Sequence, residues 1–162
     1  MNNRILKVIL VAFVSLGALF WVIQNFANLE AAYQSVAYVT SNVEHEAYPN
    51  TFGFSFDSPI LVWIALAVIL AGELATGLVA AKGAYDMFSH RKASAAEFRA
   101  AKRFASWGCG MAVIVWFGVF GVIGGAFFQM WQTAIGHGSF ADGLLYAVAN
   151  GVILVFVALE DE

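Results

Sequence analysis

Charge is scarce in this sequence: Asp, Glu, Lys and Arg make up 12% of its 162 residues, against 61% hydrophobic ones, and the mean hydropathy is +0.77. A soluble domain usually carries about 25% charged residues. Most of this chain must therefore meet something other than water. Cysteine is nearly absent as well. Cys109 stands alone, which excludes an internal disulfide and a cysteine-based zinc site. His45, His90 and His137 lie in separate segments, so neither a metal-ligand cluster nor a deep histidine pair for a haem is legible. A net charge of −3 gives no reason to expect a nucleic-acid partner. G-x-S-x-G, H-E-x-x-H, the P-loop and the dinucleotide fingerprint are all missing. The sequence thus predicts neither an enzyme nor a cofactor.

What is present is apolar length. Crossing a hydrocarbon core ~30 Å thick takes about 20 residues of helix. Four stretches qualify, at 5–26, 59–84, 104–128 and 140–159. The expected fold is one all-α domain over 1–162, a bundle of four transmembrane helices. All eight basic residues, Arg4, Lys7, Lys82, Arg91, Lys92, Arg99, Lys102 and Arg103, fall at the N-terminus or around the middle connection. Segments 27–58 and 129–139 have none. The positive-inside rule then sets both termini and the middle connection in the cytoplasm of a bacterial inner-membrane protein. The first stretch could also be a secretory signal, but its apolar part runs on through Phe20-Trp21-Val22-Ile23 with no small-x-small cleavage site. An uncleaved anchor is the expectation.

Between the first two crossings, Leu29, Tyr33, Val36, Thr40 and Val43 recur opposite Glu30, Gln34, Ser35, Ser41 and Asn42. That pattern predicts a short amphipathic helix on the periplasmic membrane surface, with Asn28 as its N-cap. Phe52-Gly-Phe54-Ser-Phe56 alternates as a short strand would, and is read instead as loop residues packed at the interface. Ser94-Ala-Ala-Glu97 is a capping box. No proline follows it before Phe128, so 95–128 reads as one helix about 50 Å long at 1.5 Å per residue. Arg99, Lys102 and Arg103 on its first turns are expected at lipid-headgroup level, or simply fix orientation. The tail Glu160-Asp161-Glu162 could pair with them, and exposed pairs are worth little. Ser139-Phe-Ala-Asp142 reads as the start of the last helix.

Small residues mark helix faces that approach closely in membranes. Ser106, Gly110, Gly118, Gly121, Gly124 and Gly125 share an arc of roughly 120° on the third helix, at about 100° per residue. The second helix has the rows Gly72/Thr76/Ala80/Ala84 and Gly77/Ala81. These two helices are expected to pack on each other, unless the glycine face docks a separate protein. Trp116, Phe120 and Phe127 form another stripe, read as lipid-facing bulk. Glu73 sits mid-helix in line with Gly77. A carboxylate at that depth marks a functional site by default. It either carries protons or contacts a ligand, or else joins helices through hydrogen bonds. Thr76 and Asn150 are its candidate polar neighbours, and Asp142, Tyr146 and Asn150 stripe the last helix. The lack of a relay of further acids favours the structural role.

The segments from Glu97 onward carry a resemblance: Glu97-Phe98, Ala101-Lys102-Arg103, Trp116-Phe117-Gly118, Gly124-Gly125 and Met130-Trp131-Gln132-Thr133, with Glu73 earlier. The chain resembles the bacterial family of predicted small integral membrane proteins, domain of unknown function 2165. The resemblance implies four crossings and no defined activity. Gly72, Ala126 and Gly136-His137-Gly138 depart from its usual pattern. Three functions fit these features. The foremost is an accessory or scaffold subunit of a larger respiratory or photosynthetic membrane complex, with lipids and other membrane subunits as partners. The others are a small proton-coupled transporter or ion-conducting oligomer using Glu73, and a lipid- or quinone-binding protein.

The orientation is open to direct test. A periplasm-active reporter fused after Glu162 should stay silent, and one inserted near Asn50 should give strong signal. The opposite pattern would reverse the topology.

Overall fold

A hydrocarbon environment offers backbone amides no partner outside the chain, so apolar runs of this length close their hydrogen bonds as helices. The computed structural model describes residues 3–161. Its elements are α1 (Asn3–Ala27), α2 (Leu29–Thr40), α3 (Pro59–Ser89), α4 (Ala95–Ala101), α5 (Arg103–Val113), a π-helical continuation of α5 (Ile114–Phe127), a 3-10 turn (Met130–Gln132) and α6 (Ala134–Ala158). No strand occurs among the described residues, so Phe52–Phe56 is loop. Four helical stretches, Asn3–Ala27, Pro59–Ser89, Ala95–Phe127 and Ala134–Ala158, are long and apolar enough to cross a membrane.

Several boundaries differ from the sequence expectation, each for a local reason. The helix that starts at Pro59 runs on past 84 to Ser89, where the His90 amide still donates to Asp86 O at 3.1 Å. The last helix begins at Ala134, not 140. Thr133 is extended, its hydroxyl accepts from the Gly136 amide at 2.8 Å, and Ser139 becomes an interior residue. Asn28 does not cap α2: its side-chain amide donates back to Gln24 O at 2.9 Å, joining α1 almost directly to α2.

The long third helix is not uniform. The capping box of Ser94 and Glu97 forms as expected. At Lys102 the helix tightens, with its amide donating three residues back to Arg99 O. From Ile114 it widens, and the Phe128 amide donates five residues back to Ile123 O at 2.9 Å. Wide turns of this kind are uncommon and tend to mark functional regions. Gln129, at φ 51, ends the widened stretch in the left-handed region.

The apolar face of α2 packs on protein. Leu29, Ala32, Tyr33 and Val36 cover Val22 of α1 with Leu66 and Leu70 of α3, and Tyr33 meets the Trp63 ring at 4.7 Å. Below it, the Phe56 amide donates to Thr40 O at 2.8 Å. That bond sets Phe54 and Phe56 edge-on against Phe127 and Phe128.

Helix α3 is the axis of the bundle, with α1 and α5 on either side. Backbones come close where side chains vanish. A Cβ added at Gly108 would stand 2.6 Å from the Ala80 Cα, and one at Gly83 would meet the backbone of Ala105. Gly77 instead receives Leu19 of α1, at 2.6 Å from an added Cβ. Ala81 and Ser106 are half-buried. The expected packing of the second and third crossings is present, but it runs through Gly83, Ala80, Ala105 and Gly108. Gly121 and Gly125 face Leu144 and Phe140 of α6. Gly110 and Gly118 face open space among the described residues: nothing lies within 4 Å of a Cβ at Gly110, and only Ile114 of the same helix approaches one at Gly118. The aromatic stripe also turns inward. Trp116 is buried against Tyr146, Phe120 fills the space left by Gly143, and Phe127 joins the phenylalanine cluster.

Substitution should separate these two kinds of glycine. Gly108→Ala overpacks a backbone contact and should lower stability by about 1–3 kcal/mol. Gly110→Ala should leave it unchanged. Thermal unfolding in mild detergent compares them, and equal melting temperatures would contradict the close approach of α3 and α5.

Candidate functional site

Three places gather polar chemistry or space. The first is Glu73, 2% exposed on the face of α3 that meets α1. Its Oε2 accepts from Asn25 Nδ2 at 3.0 Å. One turn on, Thr76 is fully buried, and its hydroxyl makes no hydrogen bond among the described residues. Nearby, Ser15 Oγ donates to Gly77 O at 2.8 Å. Asn150 does not join this group, because its Nδ2 donates to Tyr146 O of its own helix at 2.7 Å. Asp142 is exposed. Among the described residues Glu73 therefore has one side-chain donor, Asn25, and no chain of acids leads from it through Thr76 and Asn150.

Asn25 was not among the residues expected from sequence. Its signal was present, however. Arg4, Lys7, Ser15 and Asn25 fall within roughly 80° of each other at about 100° per residue, a polar stripe inside an apolar helix. That stripe is the side of α1 that turns to protein: Arg4, Lys7, Val11, Ser15, Ala18 and Val22 are buried together.

The second place is the end of the bundle that holds Asn3 and Asp161. Lys7 Nζ donates to Asp161 Oδ1 at 2.9 Å and to Leu159 O at 2.7 Å. Lys102 Nζ donates to the same Leu159 O at 2.6 Å and pairs with Asp161 Oδ2. Arg4 Nη1 donates to Ala93 O at 2.6 Å, with its guanidinium over the Phe98 ring. Burial alone would raise the Asp161 carboxyl, but the hydrogen bonds and charges of Lys102 and Lys7 together hold it below its ordinary value. Lys102 is thus buried under the segment that follows α6, where a carboxylate and a carbonyl meet its ammonium. Arg99 stays outside, 66% exposed, in a 3.3 Å pair with Glu160. Arg103 lies over the Trp107 ring at 4.7 Å. Pairing with the tail does occur, but its central pair is buried. Glu162 lies outside the described residues.

The third place is a cavity of about 560 Å³ at the opposite end. Val36 and Val39 of α2 roof it, and Ala65 and Ile69 of α3 form one wall. Phe120, Ile123 and Gly124 of the π-helical stretch form another, with Phe54, Phe56 and Ile135 closing it. No charged side chain lines it. The hydroxyls of Ser35 and Thr40 are turned to Ala31 O and Ala37 O of their own helix. Pockets of about 300–1,000 Å³ with apolar walls are the size that small ligands occupy. Sequence reading missed the cavity because its walls come from segments far apart along the chain. Ile69 lies one helical turn from Glu73, so the two places adjoin along α3.

Comparison with known families decides the relationship. The family described as predicted small integral membrane protein (DUF2165) matches residues 3–160. The chain belongs to this family. No curated protein and no solved structure matches it. The expected resemblance holds, and Gly136-His137-Gly138 lies in the opening turns of α6. Gly136 there lies against Met130, closer than a side chain would permit.

The buried tail pair carries a pH dependence with a definite sign. Asp161 has its folded value depressed, so its contribution is present above the unfolded carboxyl value of about 4. It is lost as pH falls through the lower folded value. At neutral pH, Asp161→Asn should lower stability by about 3 kcal/mol, because two buried ammonium groups lose their counter-charge. Glu160→Gln should change it by about 0.5 kcal/mol or less, as an exposed pair does. Unfolding midpoints of the three proteins across acidic and neutral pH test this. An Asp161→Asn midpoint equal to wild type at pH 7 would rule the pair out as a stabilising contact.

Proposed function

We propose that this membrane protein binds lipid, holding one hydrocarbon chain in the cavity beneath α2. The observation that carries the reading is the cavity itself: about 560 Å³, apolar on every wall and free of charge. A water-soluble ligand would find few hydrogen-bond partners there, since only Ser35, Thr40 and Ser139 bring hydroxyls to the lining, and leaving its polar groups unpaired is unfavourable. A hydrocarbon chain has none to leave. A chain that moves from bilayer to cavity gains little hydrophobic energy, since lipid tails are as apolar as the walls. Retention must therefore come from fit to a preformed shape, which the aromatic rings of Phe54, Phe56 and Phe120 supply. The one-sided Lys and Arg residues support a bacterial inner-membrane location with the cavity at the periplasmic side.

A second reading, the accessory subunit of a larger complex, has its own support. Gly110 and Gly118 lie either side of Ile114, which is 68% exposed, on a ridge that no helix of this chain covers. Small residues on such a ridge suit a helix of another membrane subunit. Proton transport through Glu73 has less support, because its carboxylate is tied to Asn25 and no relay leads away from it.

Native mass spectrometry of protein purified in mild detergent tests the lipid reading. Wild type should carry a lipid, and Ala65→Phe, which fills the cavity from α3, should reduce bound lipid about tenfold while keeping the wild-type melting temperature. Lipid retained unchanged by a folded Ala65→Phe protein would move the site elsewhere. A stoichiometric membrane partner lost on Gly118→Leu would favour the second reading.

A further inference from the structure

Resting on the cavity reading above, we propose that the occupant is a lipid whose headgroup carries an ammonium group, and that Glu44 at the cavity rim receives that ammonium. The end of the protein that holds the cavity is charged with one sign. Segments 27–58 and 129–139 contain Glu30, Glu44, Glu46 and Asp57, and neither lysine nor arginine. A lipid whose chain lies in the cavity holds its headgroup at this end, since no charged side chain inside could receive it. An anionic headgroup would meet carboxylates without a counter-ion. A zwitterionic headgroup with a terminal ammonium meets them as partners.

Among the four acids, Glu44 is the one fixed to the cavity wall. Its Oε2 accepts from the Ala134 amide at 3.2 Å, and Ala134 precedes Ile135, a wall residue. Tyr38, which precedes Val39 of the roof, acts on the same carboxyl. Tyr38 and the Ala134 amide hold that carboxyl below its ordinary value, so Glu44 stays ionised at neutral pH. A carboxylate has about four acceptor sites. The Ala134 amide uses one, and Glu44 is exposed, so an ammonium can reach the others. The chain holds Glu44 there at φ 60 and Asn42 at φ 57, a left-handed conformation uncommon outside glycine and asparagine. The bond from Ala134 to Glu44 ties the loop to α6 in that shape.

Delipidated full-length protein in detergent is offered phosphatidylethanolamine and phosphatidylglycerol with the same acyl chains in equal amounts. Bound lipid is then counted by native mass spectrometry. Wild type should favour phosphatidylethanolamine about fivefold, the scale of an exposed ion pair, and the preference should shrink in high salt. Glu44→Gln should bring the ratio to about one without changing total bound lipid, while Glu46→Gln should leave the preference intact. Equal binding of the two lipids by wild type, with Ala65→Phe displacing both, would overturn the headgroup assignment and leave the cavity reading standing. A preference that survives both Glu44→Gln and high salt would also overturn it. No lipid retained by wild type would overturn both.

Discussion

Inside a bilayer a polar group can be satisfied only by the chain it belongs to, and that constraint orders this structure from one end to the other. Helix α1 shows it most directly. Its buried face carries Arg4, Lys7 and Ser15, and Asn25 lies on the same side, each matched to a group on another element. Arg4 takes Ala93 O, Lys7 takes Leu159 O and Asp161, Ser15 takes Gly77 O, and Asn25 takes Glu73. Shift α1 along α3 by a turn and these bonds break together. The polar pairs thus fix register, where apolar contact alone would tolerate sliding. Glu73 fits this description as one pin among several.

Packing then supplies what hydrogen bonds cannot. No hydrophobic force drives one helix onto another in lipid, so close contact must make up the difference. Helix α3 achieves it on two sides at once, with Gly77 open to Leu19 and with Gly83 and Ala80 against the backbone of α5. On the far side, the widened helix after Ile114 turns Trp116 and Phe120 inward against α6, where Gly143 makes room. The bundle is tight where glycines face helices. Beneath α2 it is looser, and there the phenylalanines leave a cavity.

The sequence made the number of crossings and their class legible, because apolar length is a strong signal that needs no tertiary information. The capping box at Ser94 was legible for a similar reason, being a purely local geometry. Faces were harder. Gly110 and Gly118 look like Gly121 and Gly125 on a helical wheel of uniform pitch, but the pitch changes at Ile114 and only the latter pair meets α6. The pairing of Lys102 with Asp161 was hidden, since nothing local reveals that the tail folds over it. Thr133 outcompeted Ser139 as a cap because Met130–Gln132 turns the chain just before it. The candidate site suffered most: the cavity has no motif, only a shape made by distant segments.

The pairing of Lys7 with Asp161 spans 154 residues of chain. At ~5–20 residues per second of synthesis, the counter-ion of Lys7 is made roughly 8–30 s after the lysine itself. During that interval α1 is already long and apolar enough to insert, with an ammonium near its start that only water or headgroups can satisfy. Meanwhile the bonds from Ser15 to Gly77 and from Asn25 to Glu73 become available once α3 follows. The helices can thus be brought into register early from the middle of the membrane outward, while the bundle is fastened at its surface only when the far segment arrives. The pair of Lys7 and Asp161 is therefore among the last contacts of the bundle that synthesis makes possible.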